Sequence, residues 1–346
     1  MKLIAPGVGW SFTNHGLLWT EDGGKDWKDI TPRSSLGRVA QIKDVFFLDT
    51  RHGWVLSSKW DEPEARFDLV RTDNKGATWS ISRVHVDLGN LAADGQIAFA
   101  DPIHGWMVLD SATSSAIHAG SLFLTSDGGR TWRNSPDDPG GQGPILPVTP
   151  KEGWLVGNGQ DDDLHVTWDG AKNWQTVSLP APKEIYPAIY PTADVPVFED
   201  EKHGFVAVTY SGSNGVKSAA VLFATVDGGH SWAADRVLTN LEEGSQGERL
   251  PSTVADSIWI TARVSAYQPE LTTLSAGSRL RASIARWSNS TGYSEVHQLS
   301  FLTPKHGWII QDSGHEGAVL MRVGDGNLLS TTDCGATWTD ITPGLK

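Results

Sequence analysis

Short apolar runs alternate with turn-forming residues along the chain, and residues 41–84 show the pattern most clearly. Residues 45–48 form an apolar run, a His-Gly turn follows, and Trp54 begins a second run. Apolar and polar residues then alternate with a period of two over residues 67–72, and a fourth short run follows the next turn. This pattern is typical of β-strands joined by tight turns. The segment therefore predicts four short antiparallel strands, and no segment shows a helical period with caps.

One of these turns recurs through the chain as Ser/Thr-x-Asp-x-Gly-x-x-Trp or a close variant. Six copies occur, roughly 50 residues apart, and a motif with such a period is the signature of a repeat architecture. The aspartates assigned to the motif are Asp22, Asp73, Asp127, Asp169, Asp227 and Asp333. The copies close with Trp27, Trp79, Trp132, Trp174, Trp232 and Trp338.

A Gly-Trp pair recurs with the same period as the aspartate motif. In the two units that lack this pair, Phe205 and Trp259 occupy the position of the tryptophan. The successive spacings, starting from Trp10, are 44, 52, 48, 51, 54 and 49 residues. Seven units follow from this count, and the sixth is degenerate, with residues 288–293 resembling a decayed aspartate motif. Seven four-stranded units predict an all-β fold, a single seven-bladed β-propeller formed by residues 1–346.

The aspartate motif has a structural explanation. A carboxylate at the start of a tight turn accepts hydrogen bonds from backbone N–H groups a few residues later. The glycine two places on takes a positive φ without a Cβ penalty, and the closing tryptophan buries a large ring. We therefore expect the six aspartates to stabilise hairpins and not to bind ligand.

Composition narrows the function classes. Lys and Arg number 28 against 41 Asp and Glu, and the formal net charge of −13 opposes binding to nucleic acid. Cys334 is the single cysteine, which excludes an internal disulfide. No apolar stretch approaches the roughly 20 residues of a transmembrane helix. The first residues do not read as a signal peptide. The sequence leaves the compartment open and favours an exported protein, with any signal segment absent from this chain, and we expect a monomer.

The aspartate motif resembles the Asp-box, or BNR repeat, found in sialidases, sortilin-type receptors and xyloglucanases. Its combination with a preceding His-Gly-Trp turn, as in FLDTRHGWVL at residues 47–56, most resembles the photosystem II stability/assembly factor-like family. The resemblance covers essentially the whole chain. It implies a β-propeller with Asp-box turns that acts as a non-catalytic scaffold for a protein or peptide partner.

Two enzymatic interpretations were weighed against the scaffold. A sialidase would need an arginine triad, and its first arginine usually lies in an Arg-Ile-Pro motif, which this sequence lacks. A glycoside hydrolase could instead use two carboxylates about 5–10 Å apart at the central channel. With 41 carboxylates in the chain, this alternative stays open, although no catalytic residue is assigned.

No cofactor and no metal are predicted. His52, His104, His203 and His306 precede Gly in the same turn of different units, so a propeller would spread them apart. Residues 161–163 are three consecutive aspartates that suit calcium. A solvated acidic hairpin tip is the preferred interpretation of this run.

Two departures from the repeat predict partner binding, since ligands dock on loops carried by a rigid scaffold. Residues 179–196 form a proline-rich segment that contains Tyr186 and Tyr190. Residues 241–281, around the degenerate sixth unit, contain Arg263, Arg279 and Arg281. These five side chains are the predicted partner-binding residues.

Overall fold

Antiparallel β-strands make up nearly all of the regular structure, together with one 3₁₀ helix at Lys183–Ile185 within the described residues. The computed structural model describes residues 1–13, 16–33, 41–61, 64–84, 92–112, 118–140, 143–157, 163–185, 190–211, 218–241, 252–256, 258–263, 270–275, 278–283, 295–312 and 327–343. The strands form seven sheets, of which six have four strands and one has five, and each sheet contains four strands that are consecutive in the chain. The all-β fold is therefore a seven-bladed β-propeller, and this prediction is confirmed.

The blades fall into two compact units, and the first comprises Met1–Thr31, Ala181–Ile189 and Val197–Lys346. It contains the first, fifth, sixth and seventh blades. Their strands are β1 (Lys2–Ala5), β2 (Val8–Thr13), β3 (Gly16–Thr20), β4 (Lys28–Asp29), β18 (Val197–Phe198), β19 (Gly204–Ser211), β20 (Ser218–Thr225), β21 (Ala233–Leu241), β22 (Ser252–Ala255), β23 (Ile258–Arg263), β24 (Glu270–Ser275), β25 (Ser278–Ser283), β26 (Glu295–Phe301), β27 (Gly307–Asp312), β28 (Asn327–Thr331) and β29 (Thr339–Asp340).

The second unit comprises Pro32–Pro180 and Tyr190–Pro196 and contains the second, third and fourth blades. Their strands are β5 (Gln41–Phe47), β6 (Gly53–Asp61), β7 (Glu64–Thr72), β8 (Ser80–Val84), β9 (Ala92–Phe99), β10 (Gly105–Ala112), β11 (His118–Thr125), β12 (Arg133–Asn134), β13 (Ile145–Pro147), β14 (Gly153–Val156), β15 (Leu164–Thr167) and β16 (Gln175–Thr176). The strand β17 (Tyr190–Ala193) also belongs to this unit. The single domain that the repeat predicts stays a prediction.

Within each unit, apolar side chains fill the space between neighbouring blades. The second strand of the second blade is buried on both faces, and Trp54, Val55 and Leu56 are all 0% exposed. Such a strand carries a continuous apolar run because both of its faces pack against protein. In the first unit, Trp259 packs with Phe205 of the fifth blade in the same way. The Gly-Trp pairs of the second and fourth blades thus mark strands that are buried on both faces.

The glycine before this tryptophan is required by a close aromatic contact. A Cβ on Gly53 would lie 2.4 Å from the ring of Phe47, and a Cβ on Gly105 would lie 2.5 Å from the ring of Phe99. Gly307 has the same relation to Phe301, at 2.3 Å. The phenylalanine ends the first strand of the blade and the glycine begins the second, so the two face each other across the pair.

The turn after β3 shows how the aspartate of the repeated motif stabilises its hairpin. Asp22 Oδ1 accepts the Thr20 hydroxyl at 2.8 Å and the backbone N–H groups of Lys25 and Asp26, each at 3.0 Å. The Thr20 oxygen in turn accepts the N–H of Gly24 at 2.9 Å. Corresponding bonds surround four further aspartates, which are Asp127, Asp169, Asp227 and Asp333.

The second turn differs from the sequence assignment. Its oxygen is supplied by Asn74, whose Oδ1 accepts the Thr72 hydroxyl and the N–H of Thr78, both at 2.9 Å. Asp73 lies one residue earlier and does not take the place assigned to it. The reason is the register of the turn. In every blade with this turn, the threonine that ends the third strand is two residues before the capping oxygen, and Thr72 is that threonine in the second blade.

The sixth blade also turns at a different place from the one expected. Its third and fourth strands pair from Ser275 opposite Ser278 onward, so residues 276–277 join them. Residues 288–293, which resemble a decayed aspartate motif, lie outside the described residues. The aspartate motif of the other blades has no counterpart at this point, because only two residues separate the paired Ser275 and Ser278 in the sequence. Among the described residues, no helix is long and apolar enough to cross a membrane.

Candidate functional site

The partner-binding residues expected from the sequence are only partly described. Tyr186 lies outside the described residues, and Tyr190 is the first residue of β17. Arg263 ends β23, and Arg279 and Arg281 belong to β25. The strand register places these three arginine positions on one face of the sixth blade. Their directly paired positions on β24 are residues 270, 272 and 274, and residues two apart in a strand lie on the same face. Their role in binding stays a prediction.

Acidic residues that the sequence left unassigned lie together on the second and third blades. Asp44 lies on β5 and Asp94 on β9, the first strands of these blades, which pack against each other. Asp110 lies on β10, directly opposite Asp94. We call Asp44, Asp94 and Asp110 the acidic patch.

Asp44 links the two blades through the backbone. Its Oδ2 accepts the N–H of Ile97 on β9 at 2.8 Å, and its Oδ1 accepts the N–H of Val45 at 2.7 Å. The first strand of a blade has one edge without a partner strand in its own sheet, and a carboxylate that accepts an edge N–H satisfies it. In the first unit, Gln298 on β26 occupies the corresponding position, and its Oε1 accepts a hydrogen bond from the amino group of Met1 at 3.0 Å.

The environment of Asp44 shifts its ionisation. Burial raises the pKa of Asp44 from 3.8 to about 6, the N–H bonds of Ile97 and Val45 oppose the shift, and the charge of Asp94 adds to it. The side chain nevertheless keeps partial solvent access. A carboxyl group whose pKa is strongly shifted by burial and that keeps access to solvent is a candidate functional group.

The direct pairing of Asp94 with Asp110 is electrostatically unfavourable. Like charges directly opposite each other on paired strands are destabilising. The corresponding pair in the second blade is neutral, with Gln41 opposite Ser58. Asp94 is exposed and its Oδ1 accepts the N–H of Gly95 at 2.9 Å. The repeat therefore does not require these two charges.

Each of the two strands has a β-bulge immediately before its acidic residue. The register shifts between Ile42 and Asp44 on β5, and between Asp94 and Ala92 on β9. Bulges re-aim side chains and are frequent next to functional sites. A bulge does not follow from the hydrophobic pattern, which is why the sequence alone did not single out the acidic patch.

The turn histidines have a structural environment. Asp49 Oδ2 lies 2.8 Å from His52 Nδ1, and Asp101 Oδ2 lies 2.7 Å from His104 Nδ1. Asp49 Oδ1 also accepts two turn N–H groups, and these bonds together with His52 lower the pKa of Asp49 against the opposing effect of burial. The Asp-x-x-His spacing carries this signal in the sequence. Within the described part of the chain, no group of three or more His, Cys, Asp or Glu residues is arranged to hold a metal ion.

A small crevice of about 50 Å³ lies between the third and fourth blades of the second unit. It is bordered by the turns between the first and second strands and by the aspartate-motif turns of these two blades. Trp106, Ser126 and Arg133 of the third blade line it, together with Thr149 and Gly170 of the fourth.

No protein-family model matches the sequence, and no curated protein matches it either. The Asp-box and photosystem assembly factor-like resemblance therefore stays a resemblance of motifs.

Solved structures share the fold at low identity. A polysaccharide lyase of family PL25, an ulvan lyase, is 9% identical with a TM-score of 0.55, over 88% of this chain and 82% of the lyase. One chain from a structural and mechanistic study of two prolyl endopeptidases is 11% identical with a TM-score of 0.57, over 94% of this chain and 45% of that chain. At such identities the likeness establishes a shared β-propeller fold and nothing about the reaction or the partner.

Proposed function

We propose that this chain is a non-catalytic binding propeller that holds a protein or peptide partner through a cationic group of that partner. The observation that supports this function best is the acidic patch. Asp94 and Asp110 face each other on paired strands, and Asp44 lies close enough for the charge of Asp94 to affect it. A lysine or arginine side chain placed there would relieve the repulsion between the carboxylates.

Electrostatics of the whole chain support the same partner chemistry. The net charge of −13 favours encounter with a basic surface over an acidic one. Arginine suits such a site because its planar guanidinium binds carboxylates through two parallel hydrogen bonds. The resemblance to photosystem assembly factor-like propellers, whose members act as scaffolds, is consistent with this function and names no partner.

The test uses a labelled Arg-Gly peptide and its Glu-Gly counterpart as probes, with binding followed by fluorescence anisotropy. We expect the Arg-Gly peptide alone to bind, and Asp94→Asn to weaken binding by about tenfold, the value of one hydrogen bond between charged groups. Asp137→Asn is the matched control, since Asp137 is an exposed aspartate of the same unit outside the patch. Equal weakening by both variants, or no binding of the Arg-Gly peptide, would contradict the proposal.

A glycoside hydrolase is the second candidate function, and the raised pKa of Asp44 favours it. A carboxyl group with a pKa of about 6 is still partly protonated near neutral pH and can act as a general acid. A second, exposed carboxylate then acts as nucleophile or base. Asp44 and Asp94 would take these roles. Because a polysaccharide lyase shares the fold, polysaccharides belong among the substrates tested beside aryl glycosides.

Hydrolysis distinguishes this candidate from the scaffold. An enzyme would release product at a rate that Asp44→Asn and Asp94→Asn each reduce by about a hundredfold or more, the size of a general acid–base contribution. Asp137→Asn would leave that rate unchanged. Product formation equal in the wild type and both patch variants would rule the hydrolase out.

A further inference from the structure

The crevice between the third and fourth blades exists because two side chains that close the neighbouring crevice are replaced. Between the second and third blades, Phe99 stacks on Trp54 at 3.8 Å with an interplanar angle of 8°. The guanidinium of Arg71 covers the same indole, 5.7 Å from its centroid. One blade further on, Leu124 pairs with Trp106 as Arg71 pairs with Trp54, and Pro147 takes the place of Phe99. The smaller residues leave space beside Trp106.

The indole of Trp106 also differs from that of Trp54 in its hydrogen bonding. Trp54 Nε1 donates to the carbonyl oxygen of Gly128 in the next blade at 3.2 Å. Trp106 is 5% exposed, and within the described residues its indole N–H makes no hydrogen bond to a protein acceptor. This N–H group is therefore available to a ligand in the crevice.

Three further side chains of the crevice can donate hydrogen bonds. Arg133 lines it with an exposed side chain, and no carboxylate among the described residues pairs with it. Ser126 adds a hydroxyl, and the Thr149 hydroxyl already accepts the N–H groups of Lys151 and Glu152, which leaves its proton to donate. Together with the indole N–H of Trp106, the crevice therefore presents a cation and two hydroxyls that can donate to a ligand.

Carboxylates near the crevice are engaged elsewhere. None of the described residues that line it carries a carboxyl group. Asp101 contacts His104 and caps its own turn, and Asp169 caps the turn that contains Gly170. Neither supplies the acceptor that Arg133 and Trp106 lack.

We propose that this crevice binds a small oxyanion, the phosphate or carboxylate group of a ligand, through Arg133, Ser126, Thr149 and the indole of Trp106. Phosphate and carboxylate oxygens accept several hydrogen bonds at once and pair with the planar guanidinium of arginine. The volume of about 50 Å³ is sufficient for a group of this size. This site lies apart from the acidic patch and does not depend on the proposed function.

The test follows the indole N–H resonance of Trp106 by NMR, assigned with Trp106→Phe, while inorganic phosphate or acetate is added at constant ionic strength. We expect a saturable shift of this resonance with at least one of these anions. The anion that binds with the lower Kd identifies phosphate or carboxylate as the preferred group. Arg133→Gln should weaken binding by about tenfold, as one hydrogen bond between charged groups is lost.

The chain provides matched controls in other blades. Lys28 follows Trp27 in the first Asp-box as Arg133 follows Trp132 in the third, so Lys28→Gln makes the same change of charge outside the crevice. Thr332→Ala controls Ser126→Ala in the same way, since both residues lie between the threonine and aspartate of an Asp-box. The absence of a saturable shift, or equal weakening by Arg133→Gln and Lys28→Gln, would overturn the proposal.

Discussion

Asp127 illustrates how much a single side chain does in these turns. Its Oδ1 accepts the Thr125 hydroxyl at 2.8 Å and the N–H groups of Arg130 and Thr131 at 2.9 Å, and its Oδ2 accepts the Thr131 hydroxyl at 2.6 Å. The second turn achieves the same bonds to its threonine and turn amide with the amide oxygen of Asn74. The geometry of the oxygen, more than its charge, therefore defines the turn.

This comparison predicts the effects of two substitutions at one position. Asp127→Ala should lower the free energy of unfolding by about 1–2 kcal/mol, because turn N–H groups lose their acceptor. Asp127→Asn should cost clearly less, since Asn keeps one oxygen, as in the second blade. Urea denaturation of both variants measures the difference, and an equal loss for Asn and Ala would show that the charge matters more than the oxygen. Binding of any partner should be unaffected by either change.

At the scale of the element, the first two strands of a blade pack together through an aromatic ring on the first strand and a glycine on the second. Phe301 ends β26 and Gly307 begins β27, and the ring occupies the space that a side chain on Gly307 would need. Phe301 also contacts Trp338 edge-on, with centroids 6.5 Å apart. The strand pair thus positions the ring against the Asp-box tryptophan of its own blade.

A methyl group at Gly307 should therefore destabilise the seventh blade. Gly307→Ala is expected to cost about 1–3 kcal/mol, the range for an overpacked core, because the new Cβ would lie 2.3 Å from the Phe301 ring. Phe301→Leu removes the ring, so the same glycine substitution should cost less in that background. A double-mutant cycle by urea denaturation measures this coupling. Strictly additive effects would show that the ring does not set the requirement for glycine.

At the scale of the whole molecule, the carboxyl groups respond to pH in two opposite ways. Side-chain and backbone hydrogen bonds lower the pKa of Asp169 and Asp227 to about 2. Such groups stabilise the fold above their unfolded pKa of 3.8, and this contribution is lost as the pH falls through about 2. Asp44 has the reverse sign, because its pKa of about 6 in the fold means that the folded state holds its proton more tightly. Its stabilising contribution is present below pH 3.8 and is lost as the pH rises through about 6.

Asp44→Asn should therefore remove one component of the pH dependence between about 4 and 6. Relative to this variant, the wild type is expected to lose stability over that window, as Asp44 ionises in a crowded site. The measurement is the free energy of unfolding at several pH values for both proteins. Asp169→Asn serves as the control, because its effect belongs to the acid limb below pH 3.8. Parallel curves for the wild type and Asp44→Asn between pH 4 and 6 would refute the assignment.

The strands, the number of blades and most of the turns were determined by the sequence alone, since each depends on residues close together in the chain. Alternating apolar residues, a glycine before a tryptophan and a threonine two residues before a capping oxygen are all local signals. Even so, one local ambiguity, Asp73 beside Asn74, was settled only by the register of the turn.

The acidic patch and the crevice were decided by the tertiary structure. Asp44 and Asp94 are 50 residues apart in the sequence and come together because two first strands pack side by side, each with a bulge that no hydrophobic pattern marks. The crevice depends on whether the side chains at Leu124 and Pro147 fill the space beside Trp106, and that space lies between two blades. Contacts between distant residues depend on how blades pack against one another, and the repeat by itself specifies only how each blade folds.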